Sequence, residues 1–496
     1  MARSLIVHRR DVALASAREN AQTTRPAASG GHFCVPPCAG DHLRFTVMQS
    51  PESSALRREL REYFRLAWPI VVAQLSFVSM GTVDTILAGR LGAPQLAAVA
   101  VGANVFFLMF VFFSGLFMAV SPIVAQKVGA GRDAREIGGF VRGALVLALL
   151  MGVVWMLLLH LVREPVLDLL GLSADTRAYA DGYLRALIWA PIPTCINFAQ
   201  RNAADAHGLT RLSLVSGLAG LIVNGTLGYA LMYGQFGLPA LGPRGAGYAL
   251  SIADCAMVLV YAAQYRRTPR LHALQVLRDG PWPWRAAAMQ VLRLGLPIAA
   301  IVTAEASLFQ VGALLVAHFG AETMAAHQIA INWASLMFMI PLSIGMAATV
   351  RVGHAVGAGD AAAVALRGRV GMLIGVGFAL FSASVMLLAP HAIVALYTNV
   401  DAVARIAVGF LVYAAVFQIV DCVQATSNGA LRGIKDTRVP MMITVAAYWV
   451  VGLPLAAMLT FRTALGPAGV WCGFIGGLSI AAVGLSIRFL RQTRTA

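Results

Sequence analysis

Residues 92–131 read GAPQLAAVAVGANVFFLMFVFFSGLFMAVSPIVAQKVGAG, and residues 320–359 read GAETMAAHQIAINWASLMFMIPLSIGMAATVRVGHAVGAG. The second stretch lies 228 positions after the first. At that displacement Gly92-Ala93 recurs as Gly320-Ala321, Asn104 as Asn332, and Leu108-Met109-Phe110 as Leu336-Met337-Phe338. Val128-Gly129-Ala130-Gly131 recurs without a gap as Val356-Gly357-Ala358-Gly359, and upstream Pro69-Ile70 recurs as Pro297-Ile298. Two unrelated apolar helices can match by chance. A constant displacement through helices and their loops marks an internal repeat. Further along the match is looser and needs a gap, pairing Gly208 and Thr210-Arg211 with Gly433 and Thr437-Arg438.

The composition says what is repeated. Of 496 residues, 59% are hydrophobic and 12% charged, with a mean hydropathy of +0.74. A soluble domain carries about 25% charged residues. Successive apolar runs of about 20 residues predict an all-α integral membrane protein of twelve spans, the fourth of them, at 179–200, among the least apolar. Six spans per copy bring the second copy in with the orientation of the first. The two six-helix lobes are therefore related by a pseudo-two-fold axis along the membrane normal. Expected boundaries are an N-terminal extension without a fold at 1–55, lobes at 56–265 and 291–490, a cytoplasmic linker at 266–290 and a tail at 491–496. Residues 1–47 show no secretory apolar segment, and Met48 reads as an alternative start.

A net charge of +16 in a soluble chain would point to nucleic acid. Here the basic residues, nearly all Arg, fall in alternate loops, so they read as topology determinants and no nucleic-acid partner is expected. They place both termini in the cytoplasm. The six cysteines form no framework; Cys34 and Cys38 are a lone pair without a second pair or a histidine at zinc-ligand spacing. Paired lobes enclosing a cleft suit alternating access, a design that channels and membrane enzymes do not require.

Acids inside spans stand out, since a charge at the bilayer centre costs about 2.5–3.5 kcal/mol on insertion scales. Asp84, Glu305 and Asp421 are the strongest cases. By the repeat, Asp84 corresponds to Gly312 and Glu305 to Phe77, so neither acid is copied in the other half. Glu305, among apolar or weakly polar neighbours, suits a proton carrier or a counter-ion for a cationic drug. Asp421 follows Phe417 by four residues on one helical face, which suits an organic cation by ion pairing and cation–π contact. Asp84 is late in the first span, where an acid near the interface is cheaper. Asp254 is a further acid, central in the sixth span. His327, Gln328 and Asn332 put polar groups on the eighth span, suited to lining a cavity or to bonding between helices. No phosphate-binding loop, nucleophile constellation or metal-ligand cluster is present in the sequence. An enzyme and an ATP-driven pump are therefore not expected, no cofactor is called for, and an ion gradient must supply the energy.

Four segments carry a resemblance: VDTILAG at 83–89, AHQIAIN at 326–332, LRGIKDT at 431–437 and AYWVVGLP at 447–454. Over roughly residues 60–490 the chain resembles the multidrug and toxic-compound extrusion (MATE) family, in its NorM-like bacterial branch. The resemblance implies export of cationic or amphiphilic drugs across the bacterial inner membrane by sodium or proton antiport, by a protein expected as a monomer. It makes Asp84 the first-helix acid of the N-terminal lobe and Glu305 and Asp421 the cation-site acids of the other, with sodium or a proton held there. Asn224 matches the family's fifth-helix Asn. Two departures follow: Gly228 stands where the family often has Asn or Asp, and Phe417 where this branch often has Tyr. Asp254 is expected to replace in part the group missing at 228. The alternative is a flippase for lipid-linked saccharide in the same superfamily, which would need cations inside the cleft.

Overall fold

The computed structural model describes residues 51–276 and 284–494. The segment 1–47, with Met48 and the Cys34–Cys38 pair, lies outside the described residues. The described chain is helical throughout. In the first half α1 spans Pro51–Leu91, α2 Ala93–Phe117, α3 Val120–Gly129, α4 Ala134–Leu169, α5 Ala174–Leu187, α6 Pro191–Ala206, α7 Thr210–Tyr233 and α8 Pro243–Arg267. A short α9, Pro269–His272, leads to the second half: α10 Trp284–Ala317, α11 Ala321–Gly357, α12 Ala361–Leu388, α13 Pro390–Ala395 and α14 Asp401–Gly433. It ends with α15 Arg438–Val445, a π-helical turn Ala446–Gly452, α16 Leu453–Arg462 and α17 Ala468–Arg494.

Among the described residues, eleven helical segments are long and apolar enough to cross a bilayer. The twelfth crossing, expected as one span at 179–200, is α5 and α6, broken at Trp189-Ala190-Pro191. Pro191 has no N–H to give the preceding turn, and its ring crowds that turn's carbonyl. The repeat is visible in the backbone. Gly92 and Gly320 both enter a helix at positive φ (141° and 93°), and Gly131 and Gly359 both close one (63° and 72°). The gapped part of the repeat realigns: Gly208 shares its left-handed φ (74°) with Lys435 (61°), not with Gly433.

The expected boundaries shift where packing extends the elements. Helix α1 begins at Pro51, and α17 continues to Arg494. The first part of the expected linker is docked: Leu271, Leu274 and Val276 are buried in the core of the first lobe. That core otherwise joins α2, α4, α5 and α6 around Trp155, Phe113 and Leu184. The second core joins α10, α11, α14 and α17 around Phe410, Phe417, Trp471 and Phe474. The lobes also exchange the basic-end halves of their first helices. Tyr63, Leu66 and Ala67 of α1 pack on Ile344, Ala347 and Ala348 of α11. Reciprocally, Val291, Ile298 and Ala299 of α10 join the first core.

The pseudo-two-fold axis passes where α3 meets α11 at their basic ends. A β-carbon on Gly129 would stand 2.2 Å from the His354 carbonyl oxygen, and one on Gly357 would stand 2.1 Å from that of Gln126. Both pairs obey the displacement of 228, so the contact is reciprocal, as at a two-fold interface. Side chains repeat the pattern. Gln126 Nε2 donates to the carbonyl of Gly433 at 2.8 Å, and His354 Nε2 meets that of Ala206 at 2.7 Å. Gly433 and Ala206 end α14 and α6, where carbonyls lack helical partners. Each lobe thus caps a helix of the other. Glu59 of α1 adds a bidentate pair to Arg351 of α11 (2.5 and 2.6 Å from Nη2) and a contact to Arg367 of α12 (3.2 Å).

Candidate functional site

In the first lobe α1 delivers Asp84, which is 2% exposed rather than at an open interface. Asn224 of α7 donates Nδ2 to Asp84 Oδ1 at 3.0 Å and lies 3.4 Å from the Met80 carbonyl. One turn on, Gly228 faces the same acid: a β-carbon there would stand 3.7 Å from Asp84 Oδ1 and 3.8 Å from the β-carbon of Ala249. Of the two positions that the family resemblance linked, Asn224 bonds this carboxylate and a side chain at 228 would reach it.

Asp254 does not take the place of the group missing at 228. It lies five residues beyond Ala249, roughly 7.5 Å along α8 at 1.5 Å per residue, and it faces α6. There the Thr194 hydroxyl donates to Asp254 Oδ2, while the same hydroxyl is 2.7 Å from the Ala190 carbonyl. One hydroxyl proton thus serves two acceptors. An asparagine at 254 has an amide donor for Thr194 Oγ1, freeing the hydroxyl proton for Ala190. Asp254→Asn is therefore expected to fold normally and to keep drug efflux within about twofold of wild type, whereas Asp254→Leu strands buried polar groups and loses about 1–3 kcal/mol of stability. A tenfold loss of efflux in the asparagine variant, measured at equal protein level, would return Asp254 to the transport machinery.

In the second lobe α10 delivers Glu305, partly buried, and α14 delivers Asp421, 2% exposed. They are close enough for the charge of Glu305 to act on Asp421, and both act on Tyr448 of the π-helical turn. Tyr448 is fully buried with no hydrogen-bond partner for its hydroxyl among the described residues. Short π-helical turns recur at functional sites because the wider turn re-aims its side chains. On α14, Gln418, Asp421, Gln424 and Asn428 fall at intervals of three or four residues, on one face. All four are buried; Gln418 Oε1, Asp421 Oδ1 and Asn428 Oδ1 have no hydrogen-bond partner among the described residues, while the Gln424 amide is directed at Glu305. Reading along the sequence missed Gln424, Asn428 and Tyr448, although the spacing of the first two with Asp421 was available. Arg432 extends the face. Counted with the loop cations from sequence, it lies inside the last turn of α14 and is 8% exposed. Its guanidinium meets Met118 of the first lobe at 3.4 Å, and its charge reaches Glu305.

Other expected lining residues are placed differently. Phe417 is 2% exposed and packs edge-on against Phe309 at 5.7 Å and Trp471 at 5.9 Å. It belongs to the aromatic core, because that face of α14 is turned to α10 and α17. His327 is fully buried between Phe410 (6.3 Å) and Trp471 (5.5 Å). Neither of its ring nitrogens has a hydrogen-bond partner among the described residues. Gln328 and Asn332 are exposed, and Asn332 accepts from the Tyr397 hydroxyl at 3.0 Å. Phe77, which takes the place of Glu305 in the first lobe, stacks on Phe110 at 5.0 Å.

Two carboxylates within reach of each other's charge in a low dielectric repel unless a positive charge lies between them or one is neutralised. The cluster therefore has the chemistry to hold a cation or a proton, with amide and phenol oxygens as further hard donors. Among the described residues there is no group of three or more His, Cys, Asp or Glu placed to hold a metal ion.

The MatE family model matches the chain twice, over residues 69–230 and 297–458, two copies that are 228 residues apart. The chain belongs to the MatE family. This MatE chain is 40% identical over 443 residues to the multidrug resistance protein PmpM of Pseudomonas aeruginosa, covering 88% of this chain and 93% of that protein. It is 39% identical to a probable multidrug resistance protein NorM of Xanthomonas axonopodis pv. citri (90% and 98% covered) and to the multidrug resistance protein MdtK of Pectobacterium atrosepticum (88% and 97% covered). Its fold matches a eukaryotic MATE transporter, AtDTX14, with a TM-score of 0.79 at 20% identity, covering 89% of this chain and 98% of that one. It also matches an outward-facing multidrug resistance MATE family transporter of the MOP superfamily, with a TM-score of 0.79 at 21% identity, covering 89% and 98%. This MatE protein is thus a NorM-like, twelve-span, two-lobed membrane transporter and not an enzyme.

Proposed function

We propose that the protein exports cationic or amphiphilic drugs from bacteria across the inner membrane in exchange for sodium or protons, with both termini in the cytoplasm. The observation that carries this reading is the pair of partly buried Glu305 and buried Asp421, within reach of each other's charge and of Tyr448, with unpartnered polar atoms around them. A site of this kind gains from binding either a coupling ion or a cationic substrate, and the two compete for the same negative charge. The names of the relatives, all multidrug resistance proteins, support drugs as the substrate class.

Alternating access is supported by the distribution of cross-lobe contacts. Those described above fall from the middle of the spans to the basic end, the end that the positive-inside rule assigns to the cytoplasm. With that end closed, the cleft faces outward, where the acids can load an ion and release a drug. Asp84 with Asn224 is a second acid site, in the other lobe, and its role in coupling is part of the same proposal.

The test is efflux of ethidium or norfloxacin from proteoliposomes under an imposed sodium gradient, and separately under a proton gradient. One of the two gradients is expected to drive efflux at least about tenfold above the rate without a gradient, a difference of 1.4 kcal/mol in free-energy terms. Absence of gradient-dependent movement of any cationic drug would overturn the reading.

A further inference from the structure

The outer face of α1 at its basic end has no role in the cation site. A cavity of about 1000 Å³ opens there, lined by Arg57, Arg58, Arg61 and Arg65 of α1 and by Arg211 at the start of α7. Residues 57, 61, 65 and 68 follow one another at intervals of three or four, so they share one helical face. The opposite face is the buried one, carrying Glu59, Tyr63, Leu66 and Ala67. The single carboxylate in the cavity, Glu62, is 3.8 Å from Arg65, a loose pair. Among the described residues, Arg57, Arg58, Arg61 and Arg211 make no ion pair, so the cavity has a large uncompensated positive charge. Two aromatic rings complete it, Phe64 at 62% and Trp68 at 49% exposure.

We propose that this cavity binds the phosphate headgroup of an anionic phospholipid from the adjoining leaflet. The guanidinium groups provide forked donors that match phosphate oxygens two at a time. The aromatic pair sets the depth. Phe64 and Trp68 lie one and two turns further into the span than Arg61, and two and three turns further than Arg57, where acyl chains begin and where Trp is favoured at the membrane interface. A soluble phosphate would use the arginines alone and leave both rings in contact with water. A lipid satisfies both halves of the cavity. Clusters of four or more basic residues beside a transmembrane helix have this affinity in general. What is particular here is that a second helix, α7, closes the cluster through Arg211 and makes a cavity of it.

The binding also bears on the lobes. The turn of α1 that presents Arg57 and Arg61 outward presents Glu59 inward to Arg351 and Arg367 of the second lobe. A lipid held on the outer face therefore steadies the turn that joins the lobes at this end.

Trp68 is its own reporter. The purified full chain in neutral detergent is titrated with brominated phosphatidylglycerol and, separately, with brominated phosphatidylcholine. The Trp68 contribution is taken as the difference between wild type and Trp68→Phe. Quenching of Trp68 is expected at roughly tenfold lower mole fraction of the anionic lipid, and the preference should weaken at high salt. In the Arg57→Gln, Arg61→Gln, Arg211→Gln triple variant the two lipids should become equivalent while the melting temperature in detergent alone stays unchanged. Equal quenching by both lipids in the wild type would overturn the proposal. So would a preference that survives in the triple variant. If inorganic phosphate at millimolar concentration abolishes the preference, the site is one for soluble phosphate and the lipid assignment fails. None of these readouts involves drug transport, so the outcome stands apart from that of the efflux experiment.

Discussion

Glu305→Gln and Asp421→Asn are each expected to lower gradient-driven drug efflux by about 10- to 100-fold without lowering the melting temperature. The first half of that statement follows from the cluster. Each carboxylate is one of two charges that a bound cation can meet, and an interaction with a charged group contributes about 1.5–3 kcal/mol, which is about 10- to 100-fold at 1.4 kcal/mol per decade. The second half separates a transport defect from a folding defect. Burying a charge is costly, so a neutral amide of the same shape in place of a buried carboxylate is neutral or stabilising unless the acid had a structural partner. Asp421 Oδ1 has no such partner among the described residues. Arg432 is the charge to watch in this experiment, because its guanidinium reaches Glu305. A melting temperature that falls by several degrees in Glu305→Gln would show that the acid serves Arg432 as a structural counter-ion. Efflux within twofold of wild type in both variants would remove the pair from the mechanism.

Replacing Gly357 by valine is expected to have the second large effect, at a site far from any acid. A β-carbon at 357 would stand 2.1 Å from the Gln126 carbonyl and 2.8 Å from the Ala130 nitrogen, both backbone atoms that cannot rotate away. The helices must separate, at a cost of about 1–3 kcal/mol or more for overpacking. That cost falls on the conformation in which the lobes meet at this end, so the balance between states shifts by one to two decades. Efflux should drop by about tenfold or more, and a cysteine introduced at Ala355, 1% exposed in the closed contact, should become reactive to a membrane-impermeant maleimide. Gly129→Val should behave the same way, since its β-carbon would stand 2.2 Å from the His354 carbonyl. Gly359→Ala is the control. A β-carbon there meets nothing within 4 Å, and its φ of 72° only adds about 1 kcal/mol of backbone strain. Unchanged labelling of position 355 in Gly357→Val would show that the contact is not what closes this end.

The sequence motif around these glycines was legible as a repeat and as a pair of turns, but its two glycines do different work. Gly131 and Gly359 are needed for their positive φ, which a turn pattern announces. Gly129 and Gly357 are helical and are needed because another helix's backbone touches them, which no local pattern announces. The acids show the same division. Hydropathy alone singled out Asp84, Glu305 and Asp421, because an acid in an apolar run violates the rule that makes the run a span. It could not tell that Asp254 faces α6 and Thr194, nor that Phe417 turns into the aromatic core instead of toward a cation. Arg432 was misplaced for a related reason. Basic residues near span ends are ordinarily solvated, whereas this one is buried and meets Met118 of the other lobe.

What the amino-acid sequence determined by itself was the class, the number of crossings and the two-fold relation of the halves. Hydropathy and a constant displacement are one-dimensional properties, and they survive any detail of packing. What only the tertiary structure decided was partnership. It brought Glu305 to Asp421 and Tyr448 across more than a hundred residues, and joined Asn224 and Gly228 to Asp84. It also laid the basic-end half of each lobe's first helix on the other lobe. Those are choices about which helical face meets which neighbour. They depend on the rotation of each helix about its own axis, and in a chain that is apolar on nearly every face the pattern of side chains leaves that rotation open until the helices pack.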